Sequence, residues 1–176
     1  MKITSHFCRG SLPTAFVFST PGEEELSMGK PVAGETGCNL QSALVHLRSE
    51  LPSLFPSLER YDYRITNAFH EPIAVSLGHR ASEASDAQIT DDANTLRVLQ
   101  ELDGCTLVIL CGKKAQLLAK AIRESGKKVI GVPHLGNKAL NLCYKIPTAL
   151  DLPSPAARRE YRVRMWAGAL VAATAE

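Results

Sequence analysis

The chain has 176 residues, of which 45% are hydrophobic and 22% are charged, which is the composition of an ordinary folded domain. A chain of this length buries roughly two thirds of its unfolded surface, so we expect one domain over residues 1–176 that needs no disulfide or metal to fold. Lysine and arginine number 20 against 18 aspartates and glutamates, which excludes a histone-like surface and leaves room only for a local basic groove.

Membrane spans and metal sites are not expected. The longest apolar runs, Leu107–Cys111 and Met165–Ala173, are shorter than the roughly 20 residues that cross a bilayer. The first ten residues lack the apolar stretch of a secretion signal, which predicts a cytoplasmic protein. The five cysteines are odd in number and form no C-x-x-C pair, so we expect free thiols and no disulfide framework, metal or cofactor.

Four short runs rich in β-branched or aromatic residues predict strands. They are Ala15–Ser19, Tyr63–Asn67, Thr106–Cys111 and Lys128–Val132. Three of the four are nearly continuous, and such runs are typical of strands that are buried on both faces of a parallel sheet.

Helical patterns fill the segments between and after these strands. The predicted helices are Asn39–Leu51, Asp91–Leu102, Lys113–Ser125 and Pro155–Ala173. The alternation predicts an α/β fold, a three-layer α/β/α sandwich around a central four-stranded parallel sheet. Ligands of open parallel sheets bind at the carboxyl ends of the strands, so the residues after each strand are the candidates for a site.

The loop after the first predicted strand is dense in glycine and proline. It continues into Gly29-x-Pro31-x-x-Gly34-x-x-Gly37 and then into a predicted helix. Glycines allow the backbone to approach a ligand closely, and the helix start directs amide groups into the same space. Such a loop could bind an anion or a nucleotide. It could equally be only a structural connection between a strand and a helix.

The segment from Phe18 to Leu40 resembles the first motif of the uracil-DNA glycosylase superfamily, in the bacterial and archaeal form G-E-A-P-G-x-x-E-x-x-x-G-x-P-F-V-G-x-x-G-x-x-L. Eight residues match without a gap: Pro21, Gly22, Glu25, Gly29, Pro31, Gly34, Gly37 and Leu40. Ile65–Ala68, Val108–Ala115 and Val132–His134 resemble the later strand motifs of the same family. The resemblance covers about Ala15 to Asn141.

The resemblance implies an enzyme that flips an altered base out of DNA into a pocket at the strand ends. Asn67 would hydrogen-bond the edge of the base, since a side-chain amide offers both a donor and an acceptor. His134 would donate to the negative charge that develops on the departing base. Pro21 and Gly22, in the first-motif loop, would contact the flipped nucleotide and help position a water at the sugar carbon.

The first motif departs from the family at its acid. The two residues before Pro21 carry an acidic or amide group in the family, and here they are Ser19 and Thr20. Their hydroxyls would hold the attacking water, with the Asn39 amide as a further water-positioning group. A substitute carboxylate would come from Glu23–Glu25 or Glu71.

Other departures concern stacking and cofactors. Val32 stands where the family has a stacking phenylalanine, so Phe69 is the candidate substitute ring, and His70 would reach the same pocket. Leu135 or Leu140 would be the wedge that fills the vacated stack. The four iron–sulfur cysteines of the nearest branch are missing, since only Cys8 lies near the N-terminus.

Basic residues suggest where phosphates would bind. Lys113, Lys114 and Lys138 follow predicted strands at the ligand edge and are the candidate DNA contacts. A second cluster lies on the last predicted helix, with Glu160 inside it, and its ordinary interpretation is a solvated helix face. That cluster is Arg158, Arg159, Arg162 and Arg164.

The sequence therefore predicts a monomeric glycosylase that excises uracil or another altered base from DNA. Two alternatives stay open. One is a catalytically inactive protein that binds nucleic acid or a modified base on the same fold. The other is an enzyme or binder of a free nucleotide or sugar phosphate, which would explain the glycine-rich loop but not the pairing of Asn67 with His134.

Overall fold

A computed structural model describes residues 3–73, 78–79 and 83–175 of the chain. Its sheet is mixed and has five strands in the order β1-β3-β2-β4-β5. The strands are β1 (Phe7–Cys8), β2 (Thr14–Phe18), β3 (Arg64–Asn67), β4 (Leu107–Cys111) and β5 (Lys128–Val132). β1 runs antiparallel to β3, and the other neighbouring pairs are parallel. The predicted sheet of four parallel strands left out β1, which is only two residues long.

Eight α-helices lie in the described residues. They are α1 (Glu23–Met28), α2 (Glu35–Glu50), α3 (Asp86–Thr90), α4 (Asp92–Glu101), α5 (Lys113–Gln116), α6 (Ala119–Glu124), α7 (Asn137–Cys143) and α8 (Pro155–Thr174). A 3-10 turn at Arg60–Asp62 precedes β3. The single helix predicted over residues 113–125 is two short helices, and the predicted Asp91–Leu102 is α4 with α3 directly before it.

Alternate residues of the central strands point to opposite faces of the sheet. On β2, Phe16 and Phe18 belong to one buried cluster, whereas Ala15 and Val17 belong to another. The first cluster includes apolar residues of α2, α7 and α8, and the second includes residues of α3, α4, α5 and α6. Helices therefore cover both faces of the sheet. Because both faces are buried, the strand sequences contain nearly continuous apolar runs.

The last helix fixes the segment that follows β5. Trp166 of α8 is fully buried, and its indole Nε1 donates a hydrogen bond of 2.7 Å to the carbonyl of Pro133. A buried aromatic side chain of this size stabilises the fold by about 1.5–3 kcal/mol, and the indole bond sets the direction in which the chain leaves the strand.

The parallel pairing brings the carboxyl ends of β2, β3 and β5 to one edge of the sheet. Phe18 lies opposite Asn67 in the register, and the chain after β5 continues through Pro133 to His134. In the part of the chain that the structure describes, no helix has the length and apolar character needed to cross a membrane.

Candidate functional site

A cavity of about 410 Å³ opens at the carboxyl ends of the strands. Residues from six parts of the chain line it: the end of β2, the loop and short helix that follow, the start of α2, the end of β3, the segment after β3, and the segment after β5. The lining residues are Phe18, Ser19, Thr20, Pro21, Gly22, Glu25, Val32, Thr36, Asn67, Ile73, Glu83, His134 and Lys138. We call this space the base cavity, after the ligand that the sequence resemblance implies. Its volume falls in the range of small-molecule sites.

His134 is held in one protonation state by its own loop. The backbone N–H of Gly136 donates a hydrogen bond of 2.9 Å to the imidazole Nδ1, so Nδ1 is an acceptor and the ring proton resides on Nε2. The ring lies edge-on to Phe18 with their centroids 5.7 Å apart. Burial lowers the pKa of His134 below its ordinary value, while the carboxylates of Glu83 and Glu25 raise it by smaller amounts. The result is a neutral imidazole that can donate from Nε2.

Two glycines leave room for this histidine. A Cβ atom on Gly112 would lie 3.1 Å from the His134 Cβ, and one on Gly136 would lie 3.1 Å from Nδ1. Gly112 also has φ +98°, a left-handed conformation that side chains rarely adopt. Substitution at either glycine would displace the imidazole.

Asn67 ends β3 with its side chain at the base cavity. The residue is 3% exposed, and its Oδ1 is buried with no hydrogen-bond partner among the described residues. A buried amide oxygen without a partner costs about 1–3 kcal/mol, and such groups are rare unless a ligand or water completes them. This orphan acceptor is therefore the clearest indication that a polar ligand enters the cavity.

The backbone of Asn67 is fixed from behind by α4. Arg97 Nη2 donates to the Asn67 carbonyl at 2.9 Å, and Asn94 Nδ2 donates to the Ala68 carbonyl at 2.7 Å. Arg97 is itself paired with Glu101 at 2.6 Å. These bonds hold the backbone at the strand end from which the Asn67 side chain reaches the cavity.

The loop after β2 is tied to the loop after β3. The Ser19 carbonyl accepts from the Phe69 N–H at 3.0 Å, and the Pro21 carbonyl accepts from the Ile73 N–H at 3.2 Å. Among the described residues, no hydrogen bond involves the hydroxyl of Ser19 or Thr20, and both residues line the base cavity. These hydroxyls are available to hold a small polar molecule such as water.

Glu25 closes the glycine-rich loop on itself. One carboxylate oxygen accepts from the Gly22 N–H at 2.8 Å, and the other accepts from the Ala33 N–H at 3.1 Å. Both oxygens are therefore occupied in shaping the loop, which argues against Glu25 as the substitute acid. The Glu24 carboxylate lies against Gly34, where an added Cβ would come within 1.4 Å of its Oε2.

Glu83 is the carboxylate that sequence reasoning missed. It is exposed, lines the base cavity and acts electrostatically on His134. Among the described residues its carboxylate has neither a hydrogen-bond partner nor a basic partner in an ion pair. Nothing in the sequence around Glu83 indicates that this residue lies at the cavity.

Val32 stands where the family has a stacking phenylalanine, and the backbone of Val32 is strained. Its φ is +44°, which is unusual for a β-branched residue, and its side chain is buried at the cavity wall. Gly37 makes this turn possible because a Cβ there would lie 1.7 Å from the Val32 carbonyl oxygen. Strain of this kind concentrates at functional sites, where the surrounding structure maintains it.

Asn39 does not line the base cavity. It is fully buried in α2, and its Nδ2 donates to the Leu135 carbonyl at 2.7 Å and to Asn137 Oδ1 at 3.1 Å. The amide thus ties α2 to the segment that carries His134. This geometry gives Asn39 a positioning role through its Nδ2, while its Oδ1 is buried without a hydrogen-bond partner among the described residues.

Phe69 and His70 line a neighbouring cavity together with Glu71 and residues of α3 and α4. Phe69 is 8% exposed and belongs to the second core cluster. The His70 ring contacts Phe69 and His6, at centroid distances of 5.3 and 5.9 Å. Neither residue reaches the base cavity, so no aromatic ring replaces the missing stacking residue from this loop.

The expected wedge and phosphate contacts are separated in space. Leu135 and Leu140 are buried in the first core cluster and do not project from the surface. Lys138 lines the base cavity. Lys114 forms an ion pair of 2.6 Å with Asp86, and neither it nor the exposed Lys113 lines the cavity. Lys138 is the candidate phosphate contact that the geometry brings to the site.

Clusters of histidine, cysteine, aspartate or glutamate with the geometry of a metal site are absent from the described residues. Comparison with models of known protein families gives no match, and comparison with curated protein sequences gives none either.

Proposed function

We propose that the chain is a DNA glycosylase, with a uracil-DNA glycosylase-like α/β/α sandwich built on its parallel strands, that flips an altered base into the base cavity and hydrolyses its bond to deoxyribose. The observation that carries the proposal is the meeting of Asn67 and His134 in one cavity, beside the first-motif loop. Three segments far apart in the chain supply these groups, in the order and at the strand ends that the resemblance implies.

Base recognition is assigned to Asn67. Its buried, unpartnered Oδ1 accepts from a ring N–H or an exocyclic amine, and the amide nitrogen donates to a neighbouring carbonyl. A flipped base would supply the hydrogen-bond donor that Asn67 Oδ1 lacks among the described residues. The fixed strand end behind Asn67 provides the preorganisation that such recognition needs.

Cleavage of the glycosidic bond is assisted by His134. As the bond between the sugar C1′ and the base nitrogen breaks, its electron pair moves onto the base, and negative charge develops on a base carbonyl oxygen. The neutral His134 donates a hydrogen bond to that oxygen from Nε2, because Nδ1 is occupied by Gly136. Such a donor typically contributes a factor of ~10²–10³ in rate.

Water completes the reaction at C1′. The hydroxyls of Ser19 and Thr20 hold the water, and the Glu83 carboxylate accepts its proton as the oxygen bonds to the sugar. That proton then passes to the departed base, so the products are an abasic site and a free base. Glu83 thus takes the place of the motif acid that the sequence lacks.

Substitution of Asn67 tests base recognition. Asn67→Asp keeps the shape of the side chain but replaces a donor by a charged acceptor. The loss of one hydrogen bond to the base costs about 1.5–3 kcal/mol, or a roughly 10- to 150-fold fall in excision rate. The assay uses duplex and single-stranded oligonucleotides containing uracil, hypoxanthine or hydroxymethyluracil, with alkaline cleavage at the abasic site as the readout.

The same panel separates the enzyme from its nearest alternative. The absence of an acid at Ser19 and Thr20 favours a catalytically inactive protein that binds modified bases. Tight binding of a modified oligonucleotide by the wild type with no abasic product from any substrate would establish that alternative. Abasic product from wild type, reduced or redirected to another base by Asn67→Asp, supports the enzyme.

A further inference from the structure

A second concave surface lies beside the base cavity and shares no lining residue with it. Its volume is about 290 Å³, and we call it the arginine groove. Its lining residues are Asn137, Leu140, Asn141, Pro155, Arg158, Arg159 and Arg162. They come from α7 and from the first half of α8, so two helices form its walls.

The arginine groove is strongly positive. Three guanidinium groups and two side-chain amides line it, and no carboxylate does. The one acidic residue within the arginine cluster, Glu160, is directed to α2, where it contacts His46 Nε2 at 2.8 Å. Among the described residues, none of the three lining arginines forms an ion pair. Uncompensated charge in a concave surface attracts anions more strongly than a flat, solvated helix face does.

The guanidinium groups have donors to spare. Arg162 is held in place, since its Nε donates to the Tyr144 carbonyl at 3.2 Å and its Nη1 to the Arg158 carbonyl at 3.3 Å. Arg159 Nε is buried and has no partner among the described residues. A buried N–H that lacks a partner is unfavourable, so an acceptor supplied by a ligand would complete it. The planar fork of arginine donors matches the oxygens of a phosphate.

The groove and the base cavity adjoin across the first turn of α7. Asn137 lines the groove, and the next residue, Lys138, lines the base cavity. His134 lies three residues before Asn137, and Asn39 bonds both to Asn137 Oδ1 and to the Leu135 carbonyl. The two concave surfaces are therefore neighbours, and Asn39 ties together the segments that form them.

We propose that the arginine groove binds backbone phosphates of the nucleic-acid strand that flank the nucleotide in the base cavity. That the ligand is a nucleic-acid strand rests on the proposed function. The preference for phosphate rests on the arginine groove alone. Arg158 and Arg159 supply the donors, and Arg162, fixed by Tyr144, forms the wall. The contact is independent of sequence, because it reads the backbone and no base.

The test compares two double variants of equal charge. Arg158→Gln with Arg159→Gln removes two groove donors and keeps the structural contact of Arg162. Arg123→Gln with Arg164→Gln is the matched control, because both residues are exposed and neither lines the groove. Fluorescence anisotropy measures binding of an unmodified oligonucleotide, single-stranded and duplex, over a series of salt concentrations, with inorganic phosphate as a competitor at constant ionic strength.

The groove variant should flatten the dependence of log K on log salt by about 1.4 for single strands and about 1.8 for duplex, since each phosphate contact contributes about 0.7 or 0.9. The control should keep the wild-type slope. Equal slopes for the groove variant and wild type, equal losses in the two double variants, or no oligonucleotide binding by wild type would each overturn the proposal. Inorganic phosphate that competes as well as an oligonucleotide would overturn it in favour of a small-anion site.

The outcome is separable from that of the glycosylase assay. Weaker binding by the groove variant together with no abasic product would support phosphate binding by the arginine groove and contradict the glycosylase activity. Abasic product with unchanged salt dependence in the groove variant would do the reverse.

Discussion

The chemistry of the base cavity depends on single atoms. His134 is able to donate from Nε2 because Gly136 occupies Nδ1, and the lowered pKa that burial gives this ring keeps it neutral near pH 7. In the unfolded chain the imidazole takes up a proton more readily, so this residue makes the fold less stable as the pH falls below about 6.5. The same lowered pKa therefore reduces folding stability at low pH and keeps a neutral hydrogen-bond donor in the site.

Glu83 is the residue whose role is most open to test. Glu83→Gln preserves the size of the side chain but cannot accept a proton from water, so the single-turnover excision rate should fall by about 10²-fold or more while oligonucleotide affinity is kept. The matched control is Glu71→Gln, whose exposed side chain lines the neighbouring cavity. Rapid-quench measurements on the best substrate of the panel give both rates. An unchanged rate for Glu83→Gln would remove Glu83 from the reaction.

At the scale of elements, a polar network joins α4 to β3 and to His6, which directly precedes the edge strand β1. The Glu101 carboxylate contacts His6 at 3.2 Å and Arg97 at 2.6 Å, and it also accepts from the Thr66 hydroxyl. Burial raises the pKa of Glu101, but the bonds from His6 and Thr66 and the charge of Arg97 outweigh that effect, so its pKa is lowered. This network supports the strand end that carries Asn67.

Replacing this carboxylate should destabilise the protein. Glu101→Gln removes the charge from bonds to His6, Thr66 and Arg97, and hydrogen bonds to charged groups are worth about 1.5–3 kcal/mol. Urea denaturation at pH 7 measures the change in the free energy of unfolding. Because the pKa of Glu101 is lowered in the folded state, its stabilisation is present at neutral pH and is lost as the pH falls through the folded pKa. The difference between wild type and variant should therefore shrink in acid.

Glu124→Gln is the control for that measurement. Glu124 lies 3.8 Å from Lys120 on the surface of α6, and both side chains are exposed. Exposed pairs of this kind contribute about 0–1 kcal/mol. If the two variants were equally stable at pH 7, the Glu101 network would have no structural importance.

Elements that follow from periodicity could be predicted, and elements that depend on tertiary contacts could not. Runs rich in β-branched or aromatic residues indicated β2 to β5, since such strands lie between two layers of helices. β1 has two residues, and only its pairing with β3 defines it. The helix predicted over Lys113–Ser125 is broken between Gln116 and Ala119, where Leu118 packs into the core, and no glycine or proline marks the break.

At the scale of the whole molecule, the site residues whose positions depend on tertiary packing could not be predicted from the sequence either. Asn67 ends β3 and His134 lies two residues after β5, so the topology of a parallel sheet was enough to bring them together. Glu83 and Asn39 lie in a loop and a helix whose facing directions depend on packing. For that reason the sequence did not predict Glu83 as a cavity residue, and it suggested that Asn39 contacts the attacking water.

The near balance of charge in the chain includes a local concentration of basic residues around the start of α7. Lys138 and the arginine groove present positive charge on either side of the start of α7, while Glu25 is enclosed by the loop that it shapes. A net charge of +2 is therefore compatible with phosphate binding along one edge of the molecule.

The central claim, that His134 assists departure of a flipped base, is tested most directly by the single-turnover rate of abasic-site formation in three proteins: wild type, His134→Ala and His46→Ala. His46 is the control because it lies on α2 in contact with Glu160, outside the base cavity. Excision by wild type and His46→Ala at similar rates, with His134→Ala slower by ~10²–10³, is the predicted result. Equal rates for His134→Ala and wild type would contradict the account.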